Sequence, residues 1–193
     1  AAPETGAICF DPGIPEYLDA IRKMGMGSVI KMMLHFDRAF WKTDPSYGNK
    51  LQEMQFILSD EIIPTWWTQY PDESTVLTGW LGGPDARSRI RADEQELLQM
   101  ALASLANIFH TPIDVLEKQL IRFAIVNWTT DPFTGGSYTY ATVQSDAALG
   151  ILQQPIAGTL FFAGEAFYRG PSTGTVEAAL TSGQAVAKKL LDS

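Results

Sequence analysis

The stretch from Thr159 to Leu191 constrains this fold most. TLFFA, an apolar run of strand length over residues 159–163, is followed at once by Gly164 and Glu165. A loop through Gly170 and Pro171 leads to GTVEAALTSGQAVAKKLL, which reads as a helix over 174–191. Its apolar stripe is Val176, Ala179, Leu180, Gly183, Ala187, Leu190 and Leu191, with Lys188 and Lys189 near the C-terminal end, where the helix dipole favours cations. A helix start carries unpaired N–H groups and partial positive charge. Small residues there (Gly174, Thr175, Ala178, Ala179) let a flat ligand approach the backbone closely. Spacing alone is met as well by a strand and helix joined through a glycine-rich turn.

The earlier chain alternates between helix and strand signals. Residues 15–24 read as a short helix ended by Gly25 and Gly27. SVIKMMLHF over 28–36 reads as a strand, with Val29, Lys31, Met33 and His35 on one face and Ile30, Met32, Leu34 and Phe36 on the other. Residues 44–50 form a loop by composition, and 75–80 a second strand closed by Gly82, Gly83 and Pro84. DEQELLQMALASLANIF over 93–109 places Leu97, Leu98, Ala101, Leu102, Leu105 and Ile108 on one stripe, with Asp93 as its cap. A short helix over 113–119 and a strand over 120–128 follow, then a Gly-, Ser- and Thr-rich loop from Asp131. Trp66, Trp67 and Trp80 line a pocket or fill a core; the pattern allows either.

Composition narrows the function classes. With 46% hydrophobic residues among 193 the chain builds one full core or two small ones. A net charge of −8 disfavours nucleic acid, whose phosphates require concentrated Lys and Arg. The lone Cys9 forms no internal disulfide, and His35 and His110 lie too far apart for a metal-ligand pattern, so no metal is expected. No run reaches the roughly 18 apolar residues of a membrane span, and the start lacks the basic and apolar segments of a signal peptide. A soluble, cytoplasmic protein is the expectation.

Three blocks together resemble the flavin-containing amine oxidase family, which includes monoamine and polyamine oxidases, L-amino acid oxidases and flavin histone demethylases. FFAGEAFYRGPSTGTVEAALTSGQAVAKKLL is similar to its C-terminal flavin motif, NWTTDPFTGGSYT to its Trp, Gly-Gly and Tyr segment, and MGMGSVIKMMLHFDRAFW to its lysine strand followed by Phe-Trp. They occur in the family's order at about its spacing, and the collinear resemblance covers nearly the whole chain.

The resemblance implies roles for individual residues. Lys31 matches the lysine that holds a water against flavin N5, so it is the catalytic candidate. Trp128 matches the tryptophan beside the flavin ring. Ser137 falls where monoamine oxidases carry the cysteine bonded to the cofactor, and a serine there implies non-covalent FAD. Tyr138 matches one wall of an aromatic cage for the amine. Thr175 stands where the other wall carries tyrosine, which breaks the cage and argues against a simple monoamine. Gly164, Glu165, Val176 and Glu177 match cofactor-contacting positions, Val176 through its backbone N–H.

By the same resemblance the fold is of α/β (α+β) type. A mixed sheet with flanking helices, the later part of a substrate-binding domain, spans residues 1–129. The C-terminal strand and helix of an FAD-binding domain span 130–193, and the fold is incomplete. The family's GxGxxG dinucleotide fingerprint is not in this sequence, since Gly25 and Gly27 follow a helix and precede a strand. The implied partners are an amine substrate and an N-terminal FAD-binding segment, with a homodimer through exposed apolar surface as a further expectation. The chain alone is expected to be inactive. A flavin desaturase or protoporphyrinogen-oxidase-like enzyme, and a non-catalytic interaction module, are the competing readings. Lys31, Phe40-Trp41 and Tyr138 favour the amine branch.

Overall fold

The computed structural model describes residues 6–43 and 51–192. The loop expected over 44–50 lies outside them, as does Pro3. Along the chain run α1 (Pro15–Ile21), β1 (Gly25–Met26), β2 (Val29–Phe36), α2 (Phe40–Thr43), β3 (Phe56–Leu58), β4 (Thr65–Trp67) and β5 (Val76–Gly82). They continue with α3 (Gly83–Ser88), α4 (Glu94–Ile108), α5 (Ile113–Gln119), β6 (Leu120–Asn127), β7 (Thr139–Tyr140), α6 (Ser145–Leu152), a 3₁₀ turn (Glu165–Phe167) and α7 (Val176–Leu191). Two compact units result: Ser28–Thr130, and the residues up to Gly27 together with Asp131 onward. A single cut at 129/130 was expected; the residues up to Gly27 group instead with the later segment, because β1 pairs with β7 and α1 packs on α6.

In the first unit β2 sits inside a five-stranded sheet of order β3-β4-β5-β2-β6. Its alternation works as read: Ile30, Met32, Leu34 and Phe36 are fully buried, while Lys31, Met33 and His35 are half-buried on the opposite face. Helix α4 supplies Leu97, Leu98, Ala101, Leu102 and Leu105 to the same core. Its N-terminus is held by a capping box in which the Glu96 N–H donates to the Asp93 side chain and the Asp93 N–H to Glu96 Oε2. Trp66 is fully buried on the core side and donates its Nε1–H to the Ile63 carbonyl. One sheet face is therefore sealed by helices, and the other carries the polar and aromatic residues.

The second unit has a small core of Ala20, Ala148 and Leu152, against which Tyr17, Met24, Ile151 and Phe167 pack. Gly25 and Gly27 let the β1 segment lie close against residues 137–140, with which it pairs. A Cβ on Gly25 would lie 2.5 Å from the Tyr140 ring, and one on Gly27 2.8 Å from Ser137 Oγ.

The α/β character is as expected, with three differences. Every pairing among the described strands is antiparallel, where a mixed sheet was expected. The strand expected over 159–163 is reduced to an isolated bridge between Ile156 and Leu160. A strand exists only where a neighbour pairs its N–H and C=O groups, and no described strand runs beside this one. The apolar stripe of α7 is likewise uncovered. Val176, Leu180, Leu190 and Leu191 are exposed, at 50–87% for the last two, while Ala178 and Ser182 are the buried positions.

Candidate functional site

The candidate residues fall into two groups. Lys31 and Trp128 belong to the unit of Ser28–Thr130; Ser137, Tyr138, Gly164, Glu165, Thr175, Val176 and Glu177 belong to the other.

In the first group, Lys31 projects from the open face of β2, opposite Trp80 on β5 and Val126 on β6. Its Nζ stands 5.5 Å from the centre of the Trp67 ring, within cation–π range. No carboxylate pairs with it among the described residues. A half-buried ammonium held by an aromatic face and left without a counter-ion is available to a ligand. Around it opens a cavity of ≈ 540 Å³. Of the three tryptophans that the sequence left open, Trp67 lines this cavity and Trp66 belongs to the core. Trp128 follows β6 and is 39% exposed, so it is not a core residue.

In the second group the central side chain is Glu165. Its Oε1 accepts the Thr139 N–H at 2.9 Å, and its Oε2 accepts the Thr139 hydroxyl at 2.8 Å and the Gly174 N–H at 3.0 Å. The carboxylate thereby ties the Ser137–Thr139 segment to the start of α7. Gly174, at φ +81°, lies against the Tyr138 ring, and a Cβ there would come 3.4 Å from Tyr138 Cδ2. Gly164, at φ +140°, gives its N–H to Ser182 Oγ at 3.3 Å. Both glycines occupy backbone conformations that side chains disfavour. Thr175 caps α7, its hydroxyl oxygen accepting the Ala178 N–H at 3.2 Å.

Thr139 and Ser182 complete this cluster, and sequence reasoning passed over both. Thr139 immediately follows the candidate Tyr138. Ser182 lies on the helix face that carries Ala178. Neither residue type signals a role without its partner.

The group implied for this cluster, FAD, is compatible with the residues present. The N–H groups of Val176 and Glu177 have no acceptor among the described residues. They sit at the exposed tip of a long helix, where a carbonyl edge or developing anion is favoured. Ser137 Oγ is buried with no hydrogen-bond partner. A polar ligand that reached these groups would satisfy donors that the chain leaves open.

Comparison with known proteins gives the chain's family. The family model for flavin containing amine oxidoreductase matches residues 1–191. The chain is 31% identical to human peroxisomal N(1)-acetyl-spermine/spermidine oxidase over 94% of its own length and 39% of that protein. It is 28% identical to human lysine-specific histone demethylase 2 (97% of the chain, 23% of the relative) and 30% to lysine-specific histone demethylase 1 homolog 2 of Oryza sativa subsp. japonica (96% and 24%). The chain thus spans less than two-fifths of the length of each of these relatives. It belongs to the flavin containing amine oxidoreductase family.

Proposed function

We propose that this chain works as part of a longer FAD-dependent oxidase that converts an aliphatic amine to an imine, with O₂ reduced to H₂O₂. The chemistry supplied by bound FAD is acceptance of the substrate's α-hydride and onward reduction of O₂. The chain's own residues bind and orient. Lys31, held against Trp67 without a counter-ion, positions a water or polar group by hydrogen bonding. Tyr138 offers a ring face beside Gly174 on which the amine end of a substrate packs. Thr175 contributes a hydroxyl where a second ring would complete a cage, which leaves that side open to a bulkier amine. Glu165 keeps the Tyr138 segment and the start of α7 in register, and the amides of Val176 and Glu177, without an acceptor among the described residues, would help to hold the cofactor.

The observation that carries this reading is the lysine: a half-buried ammonium with no ion-pair partner among the described residues, on the open face of a sheet, above a tryptophan ring. The relatives named for N(1)-acetyl-spermine/spermidine and for histone lysine support an alkylamine as substrate. The chain by itself is expected to turn over no amine, because it spans only 39% of the acetylpolyamine oxidase. The test is purification of the complete reading frame that contains this chain. A yellow protein with flavin bands and amine-dependent peroxide release is expected. A protein that stays colourless after reconstitution with FAD, and releases no peroxide from any alkylamine, overturns the proposal.

A further inference from the structure

The cavity around Lys31 has a second charged end. Along the open face the strands align Lys31 with Trp80 and Val126, then Met33 with Thr78 and Ala124, then His35 with Val76 and Arg122. At that last level the Arg122 Nε–H donates to His35 Nδ1 at 3.1 Å. The imidazole nitrogen that faces Arg122 is thus the acceptor of this bond. The two terminal nitrogens of Arg122 have no partner among the described residues. Gln69, which also lines the cavity, is held by a hydrogen bond from its amide to Thr78 Oγ1 at 3.2 Å.

Charge marks this cavity as a departure from the rest of the chain. The whole sequence has 22 acidic against 14 basic residues, yet the lining holds two of the cations, Lys31 and Arg122, and no carboxylate. A positive pocket on an acidic protein selects an anion. A guanidinium with two free terminal NH2 groups matches a carboxylate in geometry. Between the two charged ends the strands present Met33 and Ala124 beside Thr78, whose hydroxyl oxygen is taken by Gln69, so the stretch is largely apolar. Lys31 and His35 are four residues apart on β2, about 13 Å along the strand. An α-amino acid, whose amine and carboxylate share one carbon, cannot span that distance. An amine separated from a carboxylate by an extended apolar chain can.

We infer that Arg122, positioned by His35, is a carboxylate subsite of this pocket, and that the substrate is an amine with a carboxylate at the far end of an extended chain. The inference rests on the amine oxidase reading above for the role of Lys31, and takes the reacting amine to lie at the Lys31 end of this cavity.

The test compares ω-amino-octanoate with its primary amide on the complete enzyme, as a ratio of kcat/KM values. The wild type favours the acid. Arg122→Gln lowers the ratio by about tenfold or more, the loss expected for a charged hydrogen bond, and Arg122→Lys retains part of the preference. Arg91→Gln, which removes an exposed cation outside the cavity, leaves the ratio unchanged. A second readout needs no turnover: hexanoate titrated against tryptophan fluorescence, reported by Trp67, saturates in the wild type and weakens about tenfold in Arg122→Gln, while hexanamide gives no saturable change. An acid/amide ratio near unity in the wild type, or one unmoved by Arg122→Gln, overturns the subsite. Absence of flavin and of turnover with every amine overturns the oxidase reading instead, and the hexanoate titration then decides the subsite alone.

Discussion

Replacing Glu165 with alanine isolates the contact that organises the second unit. The carboxylate accepts three hydrogen bonds, two of them from Thr139, which is only 6% exposed. Without that acceptor the Thr139 N–H and hydroxyl have little water to turn to, and each orphaned buried donor costs about 1–3 kcal/mol. The Gly174 N–H is less buried and adds about 0.5–1 kcal/mol. The sum is roughly 2.5–7 kcal/mol. At about 2–4 °C per kcal/mol for a chain of this size, Tm falls by roughly 5–28 °C in thermal circular dichroism. Glu165→Gln keeps one acceptor oxygen and turns an amide N–H toward a donor, so about half the loss is expected. A Glu165→Ala and Thr139→Val cycle reports the pair's coupling, about 1–2 kcal/mol. The reasoning fails if Glu165→Ala melts within about 2 °C of wild type, or if the Thr139 and Gly174 amides exchange with solvent in wild type as fast as in the variant.

Other elements give independent checks. Asp93→Ala removes the α4 capping box and should cost about 1 kcal/mol in denaturant unfolding; no change in midpoint contradicts the cap's role. Lys31→Met in the complete enzyme should lower amine turnover at least about a hundredfold with Tm nearly unchanged, since no ion pair holds Lys31 among the described residues; a full-speed variant excludes the lysine from the reaction. Asp131 accepts hydrogen bonds from the Thr134 hydroxyl and from the Phe133 and Thr134 N–H groups, which hold its carboxyl below the usual carboxylate range. A depressed folded-state pKa means that this support is intact at neutral pH and is lost as pH falls through that lowered value. NMR of the Asp131 carboxyl carbon should therefore titrate at lower pH than an unstructured aspartate, and a midpoint at the ordinary value refutes the turn.

What the sequence reveals of this protein tracks the range over which each rule operates. The Asp93–Glu96 box and the alternation of β2 are legible because cap and pleat are satisfied within a few residues of themselves. Helix α5 is read at its true limits for the same reason. TLFFA has the composition of a strand, yet strand formation is a property of a pair, and no described neighbour supplies the other half. The stripe on α7 states which residues seek burial without stating what buries them. Short β3 and β4 escape notice because three residues carry too little pattern to distinguish a strand from a loop.

The same division runs through the site. Gly164 and Gly174 are visible in a sequence because their backbone angles admit few other residues, and Lys31 is visible because an ammonium among apolar neighbours in a strand demands an explanation. Thr139 and Arg122 carry no such mark. Thr139 gains its role only when Glu165 is brought to it from 26 residues away, and Arg122 only when strand register sets it opposite His35, 87 residues earlier. Backbone-demanding residues identify the family's shared chemistry, whereas register creates the pairings in which one member of the family differs from another. The residues that select this protein's substrate should accordingly be sought across β2 and β6 at the Arg122 end, rather than in the motifs that first identify it.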